Sequence, residues 1–560
     1  MPDIMEDLNY TKVSECEQIV CEAHVTQEAH AAQAAHATQT TNAAQTAHAT
    51  QATHAAQAAH ATQATNAAQT AHATQTTQAP QEEQAIQLSE KLHQTRALCP
   101  QCLRVLPGHI AADKQNKVWM SRTCPEHGEV ATMIWPDVNH YKWMMSLAFP
   151  KVAPDKSVTR VPTSHCPTGC GICNRHLRKP TLVEIEVTQR CNLHCPVCFM
   201  SAESDSSDVP LAKLADFYET VASTAGINTG VQLTGGEPTV RSDLAEVVRM
   251  GRERGFWGVE VNTNGLVIAK DINYLKGLVD AGLTGIYLQF DGLTADAYQQ
   301  IRGADLLPVK LQAVKNCRAA GVQVVLAMTI VSGINDQQIG DVIEYALANS
   351  DVVAGVALQP AFTSGRFNTK RIVPLTMGDV IFMLDAQTKG LIRAEDIWPL
   401  GCSHPLCDTG TFLVQTEADN MVKSDNSKSD NSKSDNSKSD NSKSDAQTCA
   451  SFIPATRDLT REEYLSLYNP DSPQGSVFLD VLTRKGIPPE RIARGVSVII
   501  MNYMDAYTMD LERMEECSMF VTMPDGAVIP FCSYQLTNCK GERVFPPWNI
   551  LGGEKGVAWQ

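Results

Sequence analysis

The sequence lacks a long apolar segment, an excess of basic residues and a signal-peptide pattern. No apolar run reaches the ~18–20 residues that a membrane span requires, and Val496 to Met501 (VSVIIM) is far too short. The net charge is −16, which argues against general binding to nucleic acid or membrane surfaces, because phosphate-rich partners need basic patches. The N-terminal sequence MPDIMEDLNY has neither a basic nor an apolar region. We therefore expect a cytoplasmic protein without a transmembrane segment and without a nucleic-acid partner.

Cysteine, in contrast, is abundant: the chain of 560 residues has 18, and most of them are clustered. Disulfides are disfavoured in a reducing compartment, where clustered cysteines more often bind metals. The composition is 43% hydrophobic, which is enough for a large core and for more than one domain.

Two segments of low complexity flank the regular part of the chain. Residues 24 to about 79 consist mainly of Ala, Gln, Thr and His, and several histidines follow a six-residue period. Six residues advance a helix by ~600°, so these histidines do not share one face. A histidine-rich metal-binding tail is one interpretation, but we favour a largely disordered tail over residues 1–96. The KSDNS repeat within residues 423–445 is interpreted as a disordered insertion in a surface loop.

The segment 181–390 alternates strand and helix patterns. Amphipathic helical patterns, such as Ser242–Arg254 and Asp271–Ala281, separate short apolar runs rich in β-branched residues. Six such units predict parallel strands joined by right-handed crossovers, in a partial (β/α)6 barrel of the TIM type and of α/β class. The predicted strands are Leu182–Thr188, Val231–Thr234, Val259–Asn262, Gly285–Phe290, Gln323–Ile330 and Val353–Leu358.

A cysteine motif of the form CX3CX2C follows the first predicted strand directly. It consists of Cys191, Cys195 and Cys198. A closed electron-transfer cluster normally has four cysteine ligands, so three ligands suggest an iron left open for a substrate, as in catalytic metal sites. A zinc site that includes His194 is the alternative.

This motif in this position resembles the radical S-adenosylmethionine (SAM) superfamily. The second predicted strand ends in GGEP, and later strands end in NTNG and QFDG. The resemblance implies a [4Fe–4S] cluster on the three cysteines, which binds SAM and cleaves it to a 5′-deoxyadenosyl radical. It also implies that the glycines let the main chain approach SAM and that the glutamate favours its ammonium group. The residues expected to bind SAM are Gly235, Gly236, Glu237, Pro238, Asn264, Gln289 and Asp291.

Further cysteines flank the predicted barrel. Residues 97–145 have a CX2C…CX2H pattern that predicts a zinc-ribbon-like module, with a rubredoxin-like iron as the alternative metal. Segment 146–180 repeats the CX3CX2C spacing, and the irregular region 391–560 has more cysteines, so we expect auxiliary [4Fe–4S] clusters rather than buried thiols. The expected zinc ligands are Cys99, Cys102, Cys124 and His127. The expected auxiliary ligands are Cys166, Cys170, Cys173, Cys402, Cys407, Cys517 and Cys532, with Cys539 less certain.

The ordered part as a whole resembles the class D methyltransferases of the radical SAM superfamily, a group with pterin dimethyltransferases and tetraether lipid synthases. The resemblance depends on LCPQCLRVLPGHI, CPTGCGIC, LQPAFTSGR, CSHPLC and MNYMDAYTMDLERMEEC. It implies either carbon methylation of a pterin-like molecule, with a methylene-bearing folate-type donor, or carbon–carbon coupling of lipid chains. A compact polar pocket would favour the first and a long apolar tunnel the second. It also implies a low-potential electron donor such as flavodoxin or ferredoxin. A non-catalytic multi-cluster electron carrier would explain the cysteines but not GGEP.

Overall fold

A computed structural model describes residues 88–151, 166–169, 171–200, 207–367, 374–416, 451–468, 477–523 and 525–545. The chain divides into residues 1–87 and residues 88–560, and every described residue belongs to the second part. The histidine repeat, the KSDNS insertion and Cys170 lie outside the described residues. Within the described parts, no helix has both the length and the apolar character needed to cross a membrane.

The N-terminal module is a four-stranded antiparallel sheet followed by one helix. Its strands are neighbours in chain order, so each joins the next through a tight connection. The strands are β1 (Leu88–Leu98), β2 (Val105–Asp113), β3 (Val118–Cys124) and β4 (Gly128–Trp135), followed by helix α1 (Val138–Met145). The carboxylate of Asp137 caps α1 by accepting a hydrogen bond from the His140 N–H at 2.8 Å.

The module begins earlier than the boundary that we expected at residue 97. Strand β1 starts at Leu88 and pairs with β2 from Leu88 to Leu98. The first half of β1 is polar and mostly exposed, so no hydrophobic alternation marks it in the sequence. Residues 88–96, which we assigned to the tail, therefore belong to this strand.

Six parallel strands form the centre of the second sheet, as predicted. They occupy the order β11-β10-β9-β8-β7-β5, and their ends agree with the predicted segments to within one or two residues. Their bounds are β5 (Leu182–Thr188), β7 (Gly230–Gly235), β8 (Val259–Thr263), β9 (Gly285–Gln289), β10 (Val324–Ile330) and β11 (Val353–Pro360). Two short strands, β6 (Val197–Cys198) and β12 (Arg366–Phe367), pair separately.

Helices connect these strands and bury one face each. In α3 the buried residues Leu244, Val247, Val248 and Gly251 recur at helical spacing. The helices are α2 (Leu211–Thr224), α3 (Leu244–Glu253), α4 (Leu266–Lys270), α5 (Ile272–Asp280), α6 (Ala295–Arg302), α7 (Leu307–Ala320), α8 (Ile339–Ala348) and α9 (Met377–Gln387).

The C-terminal region is less irregular than we expected, because it extends the central sheet on both sides. Strand β16 (Val496–Met501) pairs in parallel with β11, and β17 (Met519–Thr522) pairs in parallel with β5. Open strand edges need partners, and these two β-branched segments supply them. The remaining strands are β13 (Trp398–Pro399), β14 (Asp408–Gln415), β15 (Phe452–Pro454) and β18 (Val528–Pro530). The remaining helices are α10 (Arg461–Leu465), α11 (Phe478–Arg484), α12 (Pro489–Ile492), α13 (Leu511–Met514) and α14 (Phe531–Tyr534).

The N-terminal module packs against the loop between β16 and β17. Arg122 is buried, and its guanidinium donates to the carbonyl oxygens of Leu98 at 3.0 Å and Tyr507 at 2.8 Å. The Thr95 hydroxyl donates to Asp510 at 2.5 Å, and Arg96 forms an ion pair with Glu515 at 2.7 Å. Buried Arg122 therefore connects the module to the loop between β16 and β17.

We predict that Arg122→Leu destabilises the protein by about 1–3 kcal/mol for each buried carbonyl left without a donor. The measurement is the midpoint of urea unfolding. Arg249→Leu is the control, because Arg249 pairs with Glu246 on the surface of α3 and exposed pairs contribute less than about 1 kcal/mol. Equal shifts for the two variants would contradict the interpretation of Arg122.

Candidate active site

The three cysteines of the central motif lie in the loop after β5 and line one cavity. Burial raises the pKa of Cys191 to about 12 and also raises that of Cys195. Buried thiolates in such a place need a positive partner, which a metal provides. These cysteines are therefore better explained as metal ligands than as free thiols in the core.

The proposed fourth ligand of the zinc alternative is engaged elsewhere. The ring of His194 contacts the guanidinium of Arg366 at 2.8 Å. This contact argues against a zinc site that includes His194.

The glycines of GGEP pack against the main chain that leads into the cysteine loop. The N–H of Gly236 donates to the Thr188 carbonyl at 2.9 Å, and the N–H of Glu237 donates to the Arg190 carbonyl at 2.8 Å. A Cβ atom on Gly235 or Gly236 would overlap those carbonyl oxygens, and Gly235 has a φ of +126°. We expected the glycines to make room for SAM, whereas the atoms that they make room for here belong to residues 188–190.

Glu237 ties the same turn to the next strand. Its carboxylate accepts hydrogen bonds from the hydroxyl of Thr263 at 2.6 Å and the N–H of Asn264 at 2.7 Å. It also accepts from the N–H and hydroxyl of Thr239. Pro238 is buried at the start of a 3-10 helix (Pro238–Val240) and does not line the cavity.

A second strand binds the cysteine loop from the other side. Strand β12 pairs with β6, which places Arg366 opposite Cys198. The Arg366 Nε donates to the Cys195 carbonyl at 3.0 Å. A Cβ atom on Gly365 would overlap the carbonyl oxygens of Cys198 and Phe199. The TSGR motif therefore serves to clamp the loop.

A buried ion pair lies beneath the cysteine loop. Arg302 binds both carboxylate oxygens of Asp291, at 2.6 and 2.9 Å, and donates to the Val197 carbonyl at 3.1 Å. Asp291 is 0% exposed and also accepts from the Thr329 N–H at 3.2 Å. Asp291 does not line the cavity, contrary to our expectation, because its carboxylate is directed to Arg302, Thr329 and Gln289.

Lys310 connects this pair to the strand ends. Its ammonium donates to the Gln289 side-chain oxygen at 2.6 Å and to the Asn264 carbonyl at 2.5 Å. Burial lowers its pKa to about 7, although the charge of Asp291 opposes this. Of the seven residues expected to bind SAM, five line the cavity: Gly235, Gly236, Glu237, Asn264 and Gln289. Sequence reasoning missed Lys310 and Arg302, because both lie on helices without a local motif.

Several polar side chains line the cavity among apolar ones. Side chains from five strands line it below the cysteine loop, and interior positions of such barrels are usually apolar and branched. Gln232 donates to Glu260 at 2.9 Å, and Gln359 donates to the Tyr287 hydroxyl at 2.8 Å. The polar residues that line the cavity below the loop are Glu184, Gln232, Asn262, Tyr287 and Gln359. Sequence reasoning missed them, although the two glutamates inside the apolar run LVEIEVT were an available signal.

Aromatic rings form one wall of the cavity. Phe362 packs against Phe199 with ring centres 5.8 Å apart and against Tyr503 at 5.4 Å. Tyr503 and Phe531 approach to 4.6 Å. All four rings line the cavity, so a planar ligand could stack on this wall.

The predicted zinc ligands come together as a compact group at two hairpin turns. The ligand atoms of Cys99, Cys102, Cys124 and His127 lie within 4.8 Å of one another. The His127 Nδ1 is 3.4 Å from the sulfurs of both Cys99 and Cys124. Although burial opposes it, hydrogen bonds from the Glu126 main chain and from His127 lower the pKa of Cys124 to about 6. Three thiols and one imidazole in this geometry fit a tetrahedral zinc ion.

Three of the C-terminal cysteines form a second group. Cys407 precedes β14, Cys517 precedes β17 and Cys532 lies in α14. Burial, and then the charges of Cys532 and Cys407, raise the pKa of Cys517 well above its usual value, so the three thiols lie within electrostatic range of one another. Cys402 instead belongs to the main hydrophobic core, where its thiol contacts Ser518 and Thr181.

The segment that contains Cys166 and Cys173 lies beside this group. His176 contacts the carbonyl of Cys517 at 2.7 Å, and Cys166 packs against the hydrophobic cluster that includes Cys532. The structure therefore places the segment of Cys166 and Cys173 against the elements that contain Cys517 and Cys532.

Two family models match parts of this chain. Residues 185–346 match the family described as Radical SAM superfamily, and residues 91–136 match the HMPTM N-terminal zinc ribbon domain. The chain is 31% identical over 484 residues to 7,8-dihydro-6-hydroxymethylpterin dimethyltransferase of Methanocaldococcus jannaschii, covering 79% of this chain and 93% of that protein. It is 31% identical over 175 residues to probable GTP 3′,8-cyclase of Pyrococcus abyssi, covering 31% of this chain and 56% of that protein. The solved structure of methylornithine synthase resembles it with a TM-score of 0.31 and 14% identity, covering 38% of this chain and 64% of that one.

We predict that Gly236→Ala displaces the cysteine loop, because the new methyl group would overlap main-chain oxygens that cannot move independently. The expected result is a loss of iron bound at Cys191, Cys195 and Cys198, measured by iron content and low-temperature EPR of the reduced protein. The matched control is Gly277→Ala in α5, where a Cβ atom meets nothing within 4 Å. Full iron content in Gly236→Ala would show that the contact is not needed.

We predict that Cys124→Ser removes zinc and leaves the iron content unchanged, since this ligand group lies apart from the other cysteines. Zinc and iron are measured by plasma mass spectrometry after anaerobic purification. Cys317→Ser is the control, because Cys317 is buried in α7 away from every cysteine group. Loss of zinc in both variants, or in neither, would contradict the assignment.

Proposed function

We propose that this chain, which belongs to the radical SAM methyltransferase family, methylates a carbon atom of a pterin-like small molecule. The polar side chains that line the cavity beneath the cysteine loop are the observation that carries this proposal. The likeness to a pterin dimethyltransferase over 93% of that relative supports the same substrate class. That match covers 79% of this chain, so the proposal concerns more than the radical SAM core.

Cys191, Cys195 and Cys198 would hold the catalytic [4Fe–4S] cluster, and the donor set fits it. A cluster at this place supplies the electron that cleaves SAM to methionine and a 5′-deoxyadenosyl radical. The strand-end residues Gly235 to Glu237, Asn264 and Gln289 are proposed to bind SAM, since they line the cavity beside the three thiols. The buried pair of Arg302 and Asp291 positions the loop through the Val197 carbonyl.

The lining of the cavity favours a pterin over a lipid. A lipid synthase would need an apolar tunnel for two alkyl chains. Here, among the residues that the structure describes, buried amide and carboxyl side chains share the lining with apolar and aromatic ones. Such groups are costly next to a hydrocarbon chain, whereas a nitrogen-rich heterocycle can satisfy them.

The group of Cys407, Cys517 and Cys532 is proposed to hold an auxiliary [4Fe–4S] cluster. Phe531 precedes Cys532 in the chain and lines the cavity. A cluster on Cys532 would therefore lie near the bound substrate. Tyr503 also lines the cavity, and its hydroxyl contacts the sulfurs of Met501 at 3.6 Å and Met519 at 3.8 Å. Cys166, Cys170 and Cys173 are proposed to bind a further cluster beside it. We propose that a flavodoxin or ferredoxin supplies the electrons.

The test is anaerobic turnover of the reconstituted, reduced protein with SAM and 7,8-dihydro-6-hydroxymethylpterin. The expected products, measured by liquid chromatography and mass spectrometry, are 5′-deoxyadenosine and a methylated pterin in the presence of a methylene donor. Cleavage of SAM without any pterin product, with lipid extracts active instead, would overturn the substrate. Absence of 5′-deoxyadenosine with every reductant would overturn radical chemistry.

We predict that Cys195→Ala abolishes formation of 5′-deoxyadenosine and leaves most auxiliary-cluster iron in place. The reason is that Cys195 belongs to the loop of the catalytic site, while the other cysteines lie on separate elements. Cys317→Ala is the control, and it should keep both activity and iron. Retained SAM cleavage in Cys195→Ala would move the catalytic cluster to another cysteine group.

A further inference from the structure

One carboxylate oxygen of Glu184 has no hydrogen-bond partner among the described residues, although the residue is almost fully buried. It lies in the middle of β5, its side chain lines the cavity, and the residue is 4% exposed. Its Oε2 atom has no hydrogen-bond donor. A buried carboxyl group normally has a donor or an opposite charge, so its isolation calls for an explanation.

The lining offers no cation to neutralise Glu184. Arg302 is the single arginine or lysine among the described lining residues, and both of its bonding edges are engaged with Asp291, Val197 and Thr329. Burial, and then the charge of Glu186, raise the pKa of Glu184 to about 8. A ligand that donates hydrogen bonds to the carboxylate would stabilise its charged form.

A second acceptor without a donor faces the same space. The Oδ1 atom of Asn262 is buried and unpartnered, while its Nδ2 atom donates to Gln232 at 3.3 Å. The Nε2 atom of Gln232 donates in turn to Glu260, so Gln232 and Asn262 are held in orientation. Of the buried unpartnered side-chain atoms in the described parts of the chain, those of Glu184 and Asn262 alone line the cavity, and both are acceptors.

Glu184 is also close to the aromatic wall. Its charge contributes, after burial, to raising the pKa of both Tyr287 and Tyr503. The hydroxyl of Tyr287 is occupied by Gln359 and Met501, so it is not free to donate to Glu184. A ligand at this place would meet a flat aromatic wall and acceptors at its edge.

We propose that Glu184 is the specificity-determining residue that binds the edge of the substrate ring through two adjacent N–H groups. In a pterin this edge is the 2-amino-4-oxopyrimidine, whose 2-amino and N3–H groups match the two oxygens of one carboxylate. The inference rests on the proposed function, because it takes the pterin class from it. It adds the residue, the orientation of the ring and the reason for the unpartnered carboxylate oxygen.

The neighbouring Glu186 gives a matched control. It lies two residues farther along β5 and is also buried. Its carboxylate accepts from the Gln189 amide at 2.6 Å and does not line the cavity. Replacing either glutamate with glutamine preserves size, so a difference between the two variants reports on contact with the ligand rather than on packing.

The experiment measures anaerobic equilibrium binding of 7,8-dihydro-6-hydroxymethylpterin to the reconstituted full chain, its Glu184→Gln variant and its Glu186→Gln variant. We expect Glu184→Gln to weaken binding by roughly 10- to 100-fold, as for loss of a charged hydrogen-bonding partner, and Glu186→Gln to bind as the unaltered chain does. Iron content should be the same in both variants and in the unaltered chain. Equal weakening of pterin binding in Glu184→Gln and Glu186→Gln would overturn the proposal, because the loss would then report on packing of β5 rather than on contact with the ligand.

A second measurement changes the ligand instead of the control variant. The unaltered chain should prefer the 2-amino-4-oxo ring over its 2,4-dioxo (lumazine) analogue by about tenfold or more, and Glu184→Gln should reduce or reverse the preference. Equal binding of both rings by the unaltered chain, or unchanged preference in Glu184→Gln, would overturn the role of Glu184 while leaving the proposed function in place. Failure of the unaltered chain to bind any pterin would overturn both.

Discussion

The main-chain contact between the turn at Gly235 and Gly236 and the segment Thr188 to Arg190 sets the geometry of the whole site. Two N–H groups of the turn bind two carbonyl oxygens of the segment, and no Cβ atom fits between them. Cys191 follows Arg190 directly, so main-chain contacts rather than flexible side chains fix the position of its main chain. Glu237 then connects the same turn to β8. A movement of any of these strands would therefore move the thiols.

The polar residues inside the barrel reduce the stability of the protein. Barrels of this kind usually fill their centres with branched apolar residues, and buried acceptors without donors reduce stability. Here Glu184, Gln232 and Asn262 take those positions instead. The remaining core is dense and apolar around the outer faces of the strands, which offsets the loss. Polar residues at core positions thus mark where binding takes precedence over packing.

The sequence allowed the six central strands, the cysteine motif and the zinc ligands to be predicted, because each depends on local patterns. Strand β1 was missed in part because its first half is polar. The pairing of β16 and β17 with the central sheet was missed because pairing between distant segments leaves no local signal. Asp291 was expected in the cavity because it follows a strand end. Its side chain instead turns toward Arg302 on a helix, and the sequence alone does not show that these two residues pair.

The pairing of β17 with β5 has a consequence for how the protein is made. Thr522 contacts the main chain of Glu184 across 338 residues. At a synthesis rate of roughly 5–20 residues per second, β5 leaves the ribosome about 15 to 70 s before its neighbour exists. During that time the strand edge is open and the cysteine loop behind it has no complete scaffold. The edge of β5 beside the candidate active site therefore closes only after residues 519–522 have been synthesised, which makes this edge the one that is open longest to wrong strand pairing.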